Sequence, residues 1–279
     1  MSLVTRFAPS PTGLLHLGHA HSALVAYRAA MAANGRFLLR IEDIDRTRCR
    51  TEFIAAIESD LNWLGLGWEQ PMRRQSDHLA DYRKDLDRLR EMGMVYPCFC
   101  TRTAIVAEIH DAALAPHGPD GPHYPGTCRR LDAAERNARL ERGEGHAWRL
   151  DSKAAARRAG SLSFIEHGRA IEVLPELFGD AVIARKDIGT SYHLSVVHDD
   201  HVQGVTLVTR GEDLLPATHI HRVLQALLDY PPPAYAHHML LRDPSGRRLA
   251  KRDRDTTLRE LRQTGVSAAE ARERAGFPD

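Results

Sequence analysis

One stretch near the N-terminus constrains the fold of this chain more than any other. Residues 6–19 read Arg-Phe-Ala-Pro-Ser-Pro-Thr-Gly-Leu-Leu-His-Leu-Gly-His. The preceding apolar run over residues 3–8 predicts a buried strand, which the prolines and glycine then end. Residues 17–33 are rich in alanine and leucine and lack proline, so a helix is predicted to begin near residues 16–18. The free N–H groups of such a helix start favour phosphate, and the stretch therefore predicts a nucleotide site.

The side chains of this stretch also suit a phosphate. Gly13 and Gly18 are small enough to let a nucleotide approach the backbone. His16 and His19 are three residues apart, so they share a helical face and can donate hydrogen bonds to phosphate oxygens. The alternative is a proline-rich turn that contains histidines without a chemical role.

The next elements extend this start into an α/β unit. Residues 37–41 predict a second strand, and a strand–helix–strand unit is right-handed with parallel strands. The acidic residues 42–45 follow that strand, at the edge where open α/β sheets bind ligands. Glu42 is nearest to the strand and is predicted to meet a substrate ammonium. The alternative is a set of solvated loop acids.

Patterning further along predicts an insertion between two halves of the nucleotide-binding fold. From residue 98 to about residue 180 the strand–helix alternation is replaced by a proline- and glycine-rich loop, a charged helix near 132–143 and short strand-like runs. Doubly wound character is predicted to resume with a strand at 181–186. The other predicted elements are helices at 52–64, 78–92, 189–200 and 217–228, strands at 94–97, 147–150 and 205–210, and short helical segments at 257–264 and 267–275.

Cysteines in the insertion are spaced as metal ligands can be. The pattern is Cys-x-Cys-x23-Tyr-x3-Cys, and thiolates of this kind suit a zinc-type cation. The alternative is three reduced, partly buried thiols. Residues 115–127 contain four prolines and three glycines, and a loop of that composition needs something to fix it, which favours a metal. The candidate ligands are Cys98, Cys100 and Cys128, with Tyr124, His117 or His123 as the fourth.

Charge and hydropathy argue against a generally nucleic-acid-attracting protein and against a membrane protein. The chain has 279 residues and a formal net charge of +1, so there is no global attraction to nucleic acid and any RNA contact must be local. No apolar run approaches the length of a membrane span, and the N-terminus enters a strand directly. These features predict a cytoplasmic protein.

A second cluster lies late in the chain, where a turn at 243–246 precedes the basic residues 248–252. A basic loop in this position can place a cation over a triphosphate, although alone it is more typical of a solvated surface loop.

Taken together, these two clusters resemble the ATP-binding motifs of class I aminoacyl-tRNA synthetases of the glutamyl/glutaminyl type. The later cluster is similar to the Lys-Leu-Ser-Lys-Arg form of the second motif, with Arg248 in place of the first lysine and Ala250 in place of the serine. The resemblance implies catalytic roles for His16, His19 and Lys251. The ATP-binding residues it implies are Pro9, His16, Gly18, His19, Arg248, Leu249, Ala250, Lys251 and Arg252.

Other stretches carry the same resemblance and imply a glutamate pocket. Glutamate has two carboxylates and one ammonium, so its pocket needs arginines, an acid and a hydroxyl. Arg6 and Arg210 are predicted to bind carboxylate, Glu42 the ammonium, and Tyr192 to donate its hydroxyl. The complete predicted set is Arg6, Phe7, Ala8, Pro9, Ser10, Glu42, Tyr192 and Arg210.

The implied fold is α/β: a class I synthetase Rossmann-type parallel sheet with a zinc-bearing α+β insertion and a short helical C-terminal extension. The expected divisions follow from the patterning above. They are residues 1–97 and 181–235 as the halves of the nucleotide-binding fold, 98–180 as an acceptor-binding-like insertion, and 236–279 as the second ATP loop and helical tail.

Because 27 residues follow Arg252, the sequence predicts no anticodon-binding domain and resembles the truncated branch of this family, the glutamyl-Q tRNA(Asp) synthetases. That branch implies one zinc on Cys98, Cys100, Tyr124 and Cys128, Mg²⁺ with ATP, and a monomer. It also implies glutamate activation without tRNA, followed by transfer to queuosine at the wobble position of tRNA(Asp). The alternatives are a small glutamyl-tRNA synthetase that charges a tRNA 3′ end and a non-catalytic tRNA-binding paralogue.

Overall fold

The computed structural model describes residues 2–101, 103, 105, 117–118, 121–241 and 256–278. The helices are α1 (Leu17–Ala32), α2 (Thr51–Trp63), α3 (Leu79–Glu91), α4 (Ala133–Glu141), α5 (Ser152–Ala159), α6 (Tyr192–Val202), α7 (Ala217–Leu227), α8 (Leu258–Gln263) and α9 (Ala268–Arg274). The strands are β1 (Val4–Phe7), β2 (Arg36–Ile41), β3 (Glu69–Arg74), β4 (Val95–Cys98), β5 (His117–Gly118), β6 (Gly121–Pro122), β7 (Ala147–Leu150), β8 (Ser163–Glu166), β9 (Arg169–Glu172), β10 (Val182–Ala184), β11 (Leu207–Gly211) and β12 (Ala234–His238). Short 3₁₀ turns occupy Gln75–Asp77, Cys128–Arg130, Pro175–Phe178 and Glu212–Leu214.

Two parallel sheets form the centre of the molecule and meet between β1 and β11. Strands β1, β2 and β3 run parallel in that order, and β11, β12 and β8 form the second parallel set, with β9 antiparallel at its edge. Thr206 N–H donates to the Val4 carbonyl at 3.0 Å, just before β11 begins. The carboxyl ends of β1 and β11 therefore lie at one edge, the position where open α/β sheets bind ligands.

Apolar side chains pack on both faces of the β1–β2–β3 sheet. Phe7 and Leu39 belong to a core shared with α1, α2 and the C-terminal helices, whereas Val4 and Leu38 belong to a core shared with α3, α6 and α7. Alternate residues of a strand point to opposite faces, so helices on both sides explain why β2, the central strand, carries apolar residues on both faces.

The predicted strand–helix–strand start and the class I synthetase fold are confirmed. The strand predicted at 181–186 exists as β10, but its predicted place in the parallel sheet is wrong. It pairs antiparallel with β7, which pairs antiparallel with β4, in a separate sheet. β3 and β12 are additional strands that the patterning did not predict.

Among the described residues no helix combines the length and the apolar character needed to cross a membrane. The second basic cluster, Arg248 to Arg252 with Lys251, lies outside the described residues, as does much of the loop that precedes Tyr124.

Candidate active site

A cleft of about 460 Å³ opens at the carboxyl ends of β1 and β11. Its walls combine the start of α6, the turn after β1 and the first turns of α1. The cleft is lined by all of the residues predicted to bind glutamate, together with His19: Arg6, Phe7, Ala8, Pro9, Ser10, Glu42, Tyr192 and Arg210. The structure thus brings together side chains that are up to 204 positions apart in the sequence.

On the β1–β2 side of the cleft, the buried arginines Arg6 and Arg40 are paired with the buried Asp200 and the partly buried Glu42. Arg6 Nε lies 3.0 Å from Asp200 Oδ1, and its Nη1 donates to the Thr209 carbonyl at 3.0 Å. Arg40 is completely buried and contacts Asp200 Oδ1 at 2.7 Å and Glu42 Oε1 at 3.2 Å. Burial disfavours the charged form of Asp200, but Arg6 and Arg40 outweigh it and lower the pKa of this carboxyl.

Two opposing effects also act on the carboxyl group of Glu42. Burial raises the pKa of the Glu42 carboxyl above its ordinary value, while Arg40 and Arg6 act to lower it. The carboxylate is therefore desolvated and has one arginine contact, an environment in which a substrate ammonium would supply a second opposite charge.

Asp199, the neighbour of Asp200 on α6, ties this side to β3 and α3. It accepts from Arg73 Nε at 2.7 Å, from Gln75 Nε2 at 2.8 Å and from the Tyr82 hydroxyl at 2.9 Å. The consecutive acids Asp199 and Asp200 thus connect α6 to all three strands of the first sheet.

On the β11–β12 side, Arg210 is buried but is held by neutral groups. Its Nε donates to His237 Nε2 at 3.0 Å, its Nη2 to Thr218 Oγ1 at 2.7 Å, and its Nη1 to the Tyr192 hydroxyl at 3.2 Å, with His221 Nδ1 also 3.2 Å away. Within the described part of the chain, Arg210 forms no ion pair with a carboxylate. A buried cation in this state is costly unless an anion binds to it.

The histidines around Arg210 are uncharged and fixed in one tautomer. Burial lowers the pKa of His237 to about 4, and the charge of Arg210 acts in the same direction. His237 Nε2 accepts from Arg210, so its Nδ1 carries the hydrogen and donates to Glu166 Oε2 at 2.8 Å. His221 likewise has a pKa well below its usual value, through burial and Arg210, and its Nε2 lies 3.2 Å from His193 Nδ1.

His16 and His19 form a reciprocal cap at the start of α1. The amide of Gly18 donates to His16 Nδ1 at 3.1 Å, and the amide of His16 donates to His19 Nδ1 at 3.2 Å. Both rings therefore accept at Nδ1 and carry a hydrogen on Nε2. A Cβ added at Gly18 would lie 3.0 Å from the His16 ring, so glycine at this position leaves room for the cap.

The three cysteines of the predicted metal set converge in the insertion. The sulfur atoms of Cys98, Cys100 and Cys128 all lie within 4.8 Å of one another. The Tyr124 hydroxyl is 3.4 Å from Cys100 Sγ and accepts from the Cys128 amide at 2.9 Å. His123 instead has its Nε2 2.9 Å from the Leu177 carbonyl. Three thiols and one phenol oxygen converging on one point fit a tetrahedral metal site.

Hydrogen bonding prepares one of these thiols for a metal. Burial opposes ionisation of Cys128, but hydrogen bonds from the Tyr124 hydroxyl and the Phe99 amide outweigh it and lower its pKa. Burial raises the pKa of Cys100 to about 11 in the absence of a cation. The cluster can hold a metal ion, whose charge would favour all three thiolates.

Several residues that shape the cleft were not found by sequence reasoning. Arg40, Asp200, Thr218, His221 and His237 are all buried, and each contacts a predicted site residue. One signal was available: Arg40 interrupts the apolar strand Phe-Leu-Leu-Arg-Ile, and a charge in a buried strand requires a buried partner.

Comparisons with known proteins agree with this geometry. The family described as tRNA synthetases class I (E and Q), catalytic domain, matches residues 2–270. The glutamyl-Q tRNA(Asp) synthetase of Rhodobacter capsulatus is 50% identical over 99% of this chain and 100% of its own length. The protein of the same name from Nocardia farcinica is 43% identical over 94% of this chain and 80% of its own length.

Solved structures give the same result for the fold. A glutamate tRNA ligase from Elizabethkingia meningosepticum, in complex with its amino acid, superposes with a TM-score of 0.76 at 27% identity. The superposition covers 91% of this chain and 52% of that one, so this chain spans about half the length of the solved ligase. With the curated relatives, these matches identify a ligase: the chain belongs to the class I glutamyl/glutaminyl tRNA synthetase family and, within it, to the glutamyl-Q tRNA(Asp) synthetases.

Proposed function

We propose that this enzyme activates L-glutamate with ATP, without tRNA, and then transfers the glutamyl group to queuosine at the wobble position of tRNA(Asp). The observation that carries the proposal is Arg210, a buried guanidinium held by neutral groups in the same cleft as the partly buried carboxylate of Glu42. A ligand that satisfies both must present an anion and a cation together, as an amino acid with an acidic side chain does.

The remaining pocket residues fit this ligand. Arg210 and Arg6 attract its two carboxylates, and Glu42 accepts from its ammonium. The Tyr192 hydroxyl, already 3.2 Å from Arg210 Nη1, can donate to a carboxylate oxygen. The backbone and side chains from Phe7 to Ser10 line the floor and fix the orientation of the ligand.

In the activation step, a glutamate α-carboxylate oxygen attacks the α-phosphorus of ATP, a new O–P bond forms, and pyrophosphate leaves. Catalysis then depends on positioning and charge stabilisation rather than on a covalent enzyme intermediate. His16 and His19 offer their Nε2 hydrogens to phosphate oxygens, and Lys251 supplies a cation within the second motif, Arg248 to Arg252. Mg²⁺ bound with ATP supplies further positive charge.

We propose zinc as the metal of the thiol cluster, held by Cys98, Cys100, Tyr124 and Cys128. Its role is structural, because these groups lie in the insertion and none of them lines the glutamate cleft. Metal analysis of the purified protein should find about one zinc per chain. Cys128→Ser should lower that content and the melting temperature, and wild-type protein without metal would contradict the assignment.

The test of the activation step is glutamate-dependent exchange between ATP and labelled pyrophosphate in the absence of tRNA. We expect exchange with glutamate and none with aspartate, whose side chain is shorter by one methylene. A protein that binds tRNA but never catalyses exchange would instead be a non-catalytic paralogue.

The test of the transfer step uses tRNA(Asp) with and without queuosine, followed by mass spectrometry of its anticodon fragment. We expect a glutamyl adduct on that fragment only when queuosine is present. An adduct on the 3′-terminal nucleotide would support a small glutamyl-tRNA synthetase and would contradict the proposal.

A further inference from the structure

A second chamber adjoins the glutamate cleft and has no role in the activation step described above. Its volume is also about 460 Å³, which is enough for a nucleoside-sized group. Val182 and Ile188 give it an apolar wall, and Ser191 and His193 at the start of α6 give it polar groups.

The two cavities share part of their walls. Ser10, Glu42 and Tyr192 line both of them, so these three residues form a wall that the two cavities have in common. A ligand in the second chamber could therefore reach the acyl carbon of a glutamyl group held in the first.

Ser191 supplies a hydroxyl that lacks a protein partner. The residue is 6% exposed, and its Oγ has no hydrogen bond to any residue in the described part of the chain. Ser191 is the N-cap of α6, yet its side chain makes no capping hydrogen bond. A serine at this position normally accepts from an amide of the first turn. A buried hydroxyl without a partner is costly, and a ligand hydroxyl in the chamber would satisfy it.

Two exposed arginines, Arg48 and Arg185, line the chamber. Arg185 is paired with Asp45 Oδ2 at 3.2 Å and with Asp187 Oδ1 at 3.1 Å, so Arg48 is the one that offers charge to an anionic chain attached to the ligand. Inside, His193 is uncharged at neutral pH because burial lowers its pKa to about 4. The interior thus favours a neutral, hydroxyl-bearing group, while the exposed Arg48 can contact a phosphate.

We propose that this second chamber binds the ring that accepts the glutamyl group, a five-membered ring with vicinal hydroxyls, and that Ser191 hydrogen-bonds one hydroxyl while another attacks. This inference rests on the proposed function. The attacking oxygen forms an ester bond to the acyl carbon of glutamyl-adenylate, and the bond from that carbon to the phosphate oxygen breaks. AMP leaves, and its phosphate takes up the proton of the attacking hydroxyl.

Two RNA groups present this chemistry, the cyclopentenediol of queuosine and the ribose of a 3′-terminal adenosine. The experiment separates them with three preparations of tRNA(Asp): one carrying queuosine, one carrying guanosine in its place, and one carrying queuosine but lacking the terminal adenosine. We expect transfer to the first and third preparations. Transfer that needs the terminal adenosine would overturn the assignment of the chamber to the queuosine ring.

The role of Ser191 is tested by Ser191→Ala, with Thr190→Val as a matched control. Thr190 is adjacent and also buried, and its hydroxyl likewise lacks a partner within the described residues, but it does not line either cavity. The measured quantity is the rate of transfer divided by the rate of ATP–pyrophosphate exchange. We expect Ser191→Ala to lower this ratio about tenfold and Thr190→Val to leave it at the wild-type value.

The other outcomes are equally decisive. An unchanged ratio for Ser191→Ala would overturn the proposal, as would a parallel fall in exchange and transfer, because the chamber would then serve the adenylate. If Ser191→Ala is poorly folded, Ser191→Thr, which keeps the hydroxyl, should recover the ratio. Wild-type protein without exchange activity would contradict the proposed function itself, and this failure is distinct from an altered ratio.

Discussion

The two sides of the glutamate cleft solve the problem of a buried arginine in opposite ways. On the β1–β2 side, Arg6 and Arg40 are neutralised by Asp200 and Glu42. On the β11–β12 side, Arg210 is surrounded by hydroxyls and neutral imidazoles. The first arrangement is complete within the protein, whereas the second leaves a positive charge for a ligand.

This difference indicates which side contributes most to the stability of the fold and which side depends on the ligand for charge compensation. Removing one partner of a buried ion pair leaves the other charge buried without compensation, which lowers the free energy of unfolding. Substitutions on the β1–β2 side should therefore have the larger effect on stability. Removing a buried cation without a counter-ion should cost the fold little and should affect ligand binding instead. Four experiments test this division.

The largest effect is expected for Asp200→Asn. The substitution leaves Arg6 and Arg40 buried with less compensating charge and should lower the free energy of unfolding by about 3–5 kcal/mol. Urea unfolding measures this, and Asp81→Asn, at the partly exposed end of α3 where Asp81 pairs with Lys84, is the control and should change it by less than about 1 kcal/mol. A small effect at Asp200 would contradict the assignment of stability to this side.

Arg210→Met should spare the fold and abolish most of the activity. The free energy of unfolding should stay the same or rise, since a buried charge without an acidic partner is removed. The loss of charged hydrogen bonds to glutamate should reduce kcat/KM for exchange by on the order of 10²–10³-fold. Arg158→Met, on the exposed side of α5, should leave both quantities unchanged. Strong destabilisation by Arg210→Met would remove the contrast between the two sides.

A smaller effect on folding stability is expected when the pH is lowered, through the buried histidines near Arg210. His237 and His193 have pKa values of about 4 in the folded state, against about 6.5 when unfolded, because of burial and Arg210. Between pH 4 and pH 6.5 the unfolded chain therefore binds more protons than the folded chain. The contribution of these histidines to the free energy of unfolding is fully present above about pH 6.5 and falls as the pH drops toward 4.

His237→Gln should reduce that slope by up to about 1.4 kcal/mol per pH unit. The substitution keeps an acceptor for Arg210 and a donor for Glu166 while it removes the titrating ring. Unfolding measured from pH 4.5 to pH 7 gives the slope, and an unchanged slope would mean that His237 titrates normally in the folded protein.

The smallest effect is expected for Thr218→Val, which removes the hydroxyl that accepts from Arg210 Nη2 at 2.7 Å. Loss of one such hydrogen bond, worth about 1 kcal/mol, should raise KM for glutamate about fivefold with kcat nearly unchanged. A fall in kcat at constant KM would indicate that Thr218 acts in the transition state rather than by positioning Arg210.

Local patterns were sufficient to predict the start of the fold but not its sheet partners. β1, α1 and β2 follow from an apolar run, a proline turn and an alanine-rich helix, all encoded within 41 consecutive residues. β3 reads Glu-Gln-Pro-Met-Arg-Arg and β12 reads Ala-Tyr-Ala-His-His, and neither has the apolar pattern of a buried strand. The antiparallel pairing of β10 depends on residues about 33 positions away, which no local pattern specifies.

The candidate site shows the same limit. Glu42 could be predicted because it follows a strand at the ligand-binding edge, whereas Arg6 and Arg210 were predicted from the glutamate pocket that the family resemblance implies. Asp200 and His237 could not, since a buried charge or imidazole looks in sequence like any surface residue. Their placement depends on tertiary partners, and only the interrupted apolar strand around Arg40 hinted that buried charges were present.

Helix α6 joins the two cavities to the buried ion-pair network of Asp199 and Asp200. Its last turns carry Asp199 and Asp200, bonded to three strands, while at its start Tyr192 lines both cavities and the N-cap residue Ser191 lines the second chamber. A helix anchored at one end behaves as a rigid lever about 16 Å long over its eleven residues. The start of α6 would then keep the same position whether the amino acid or the acceptor binds first.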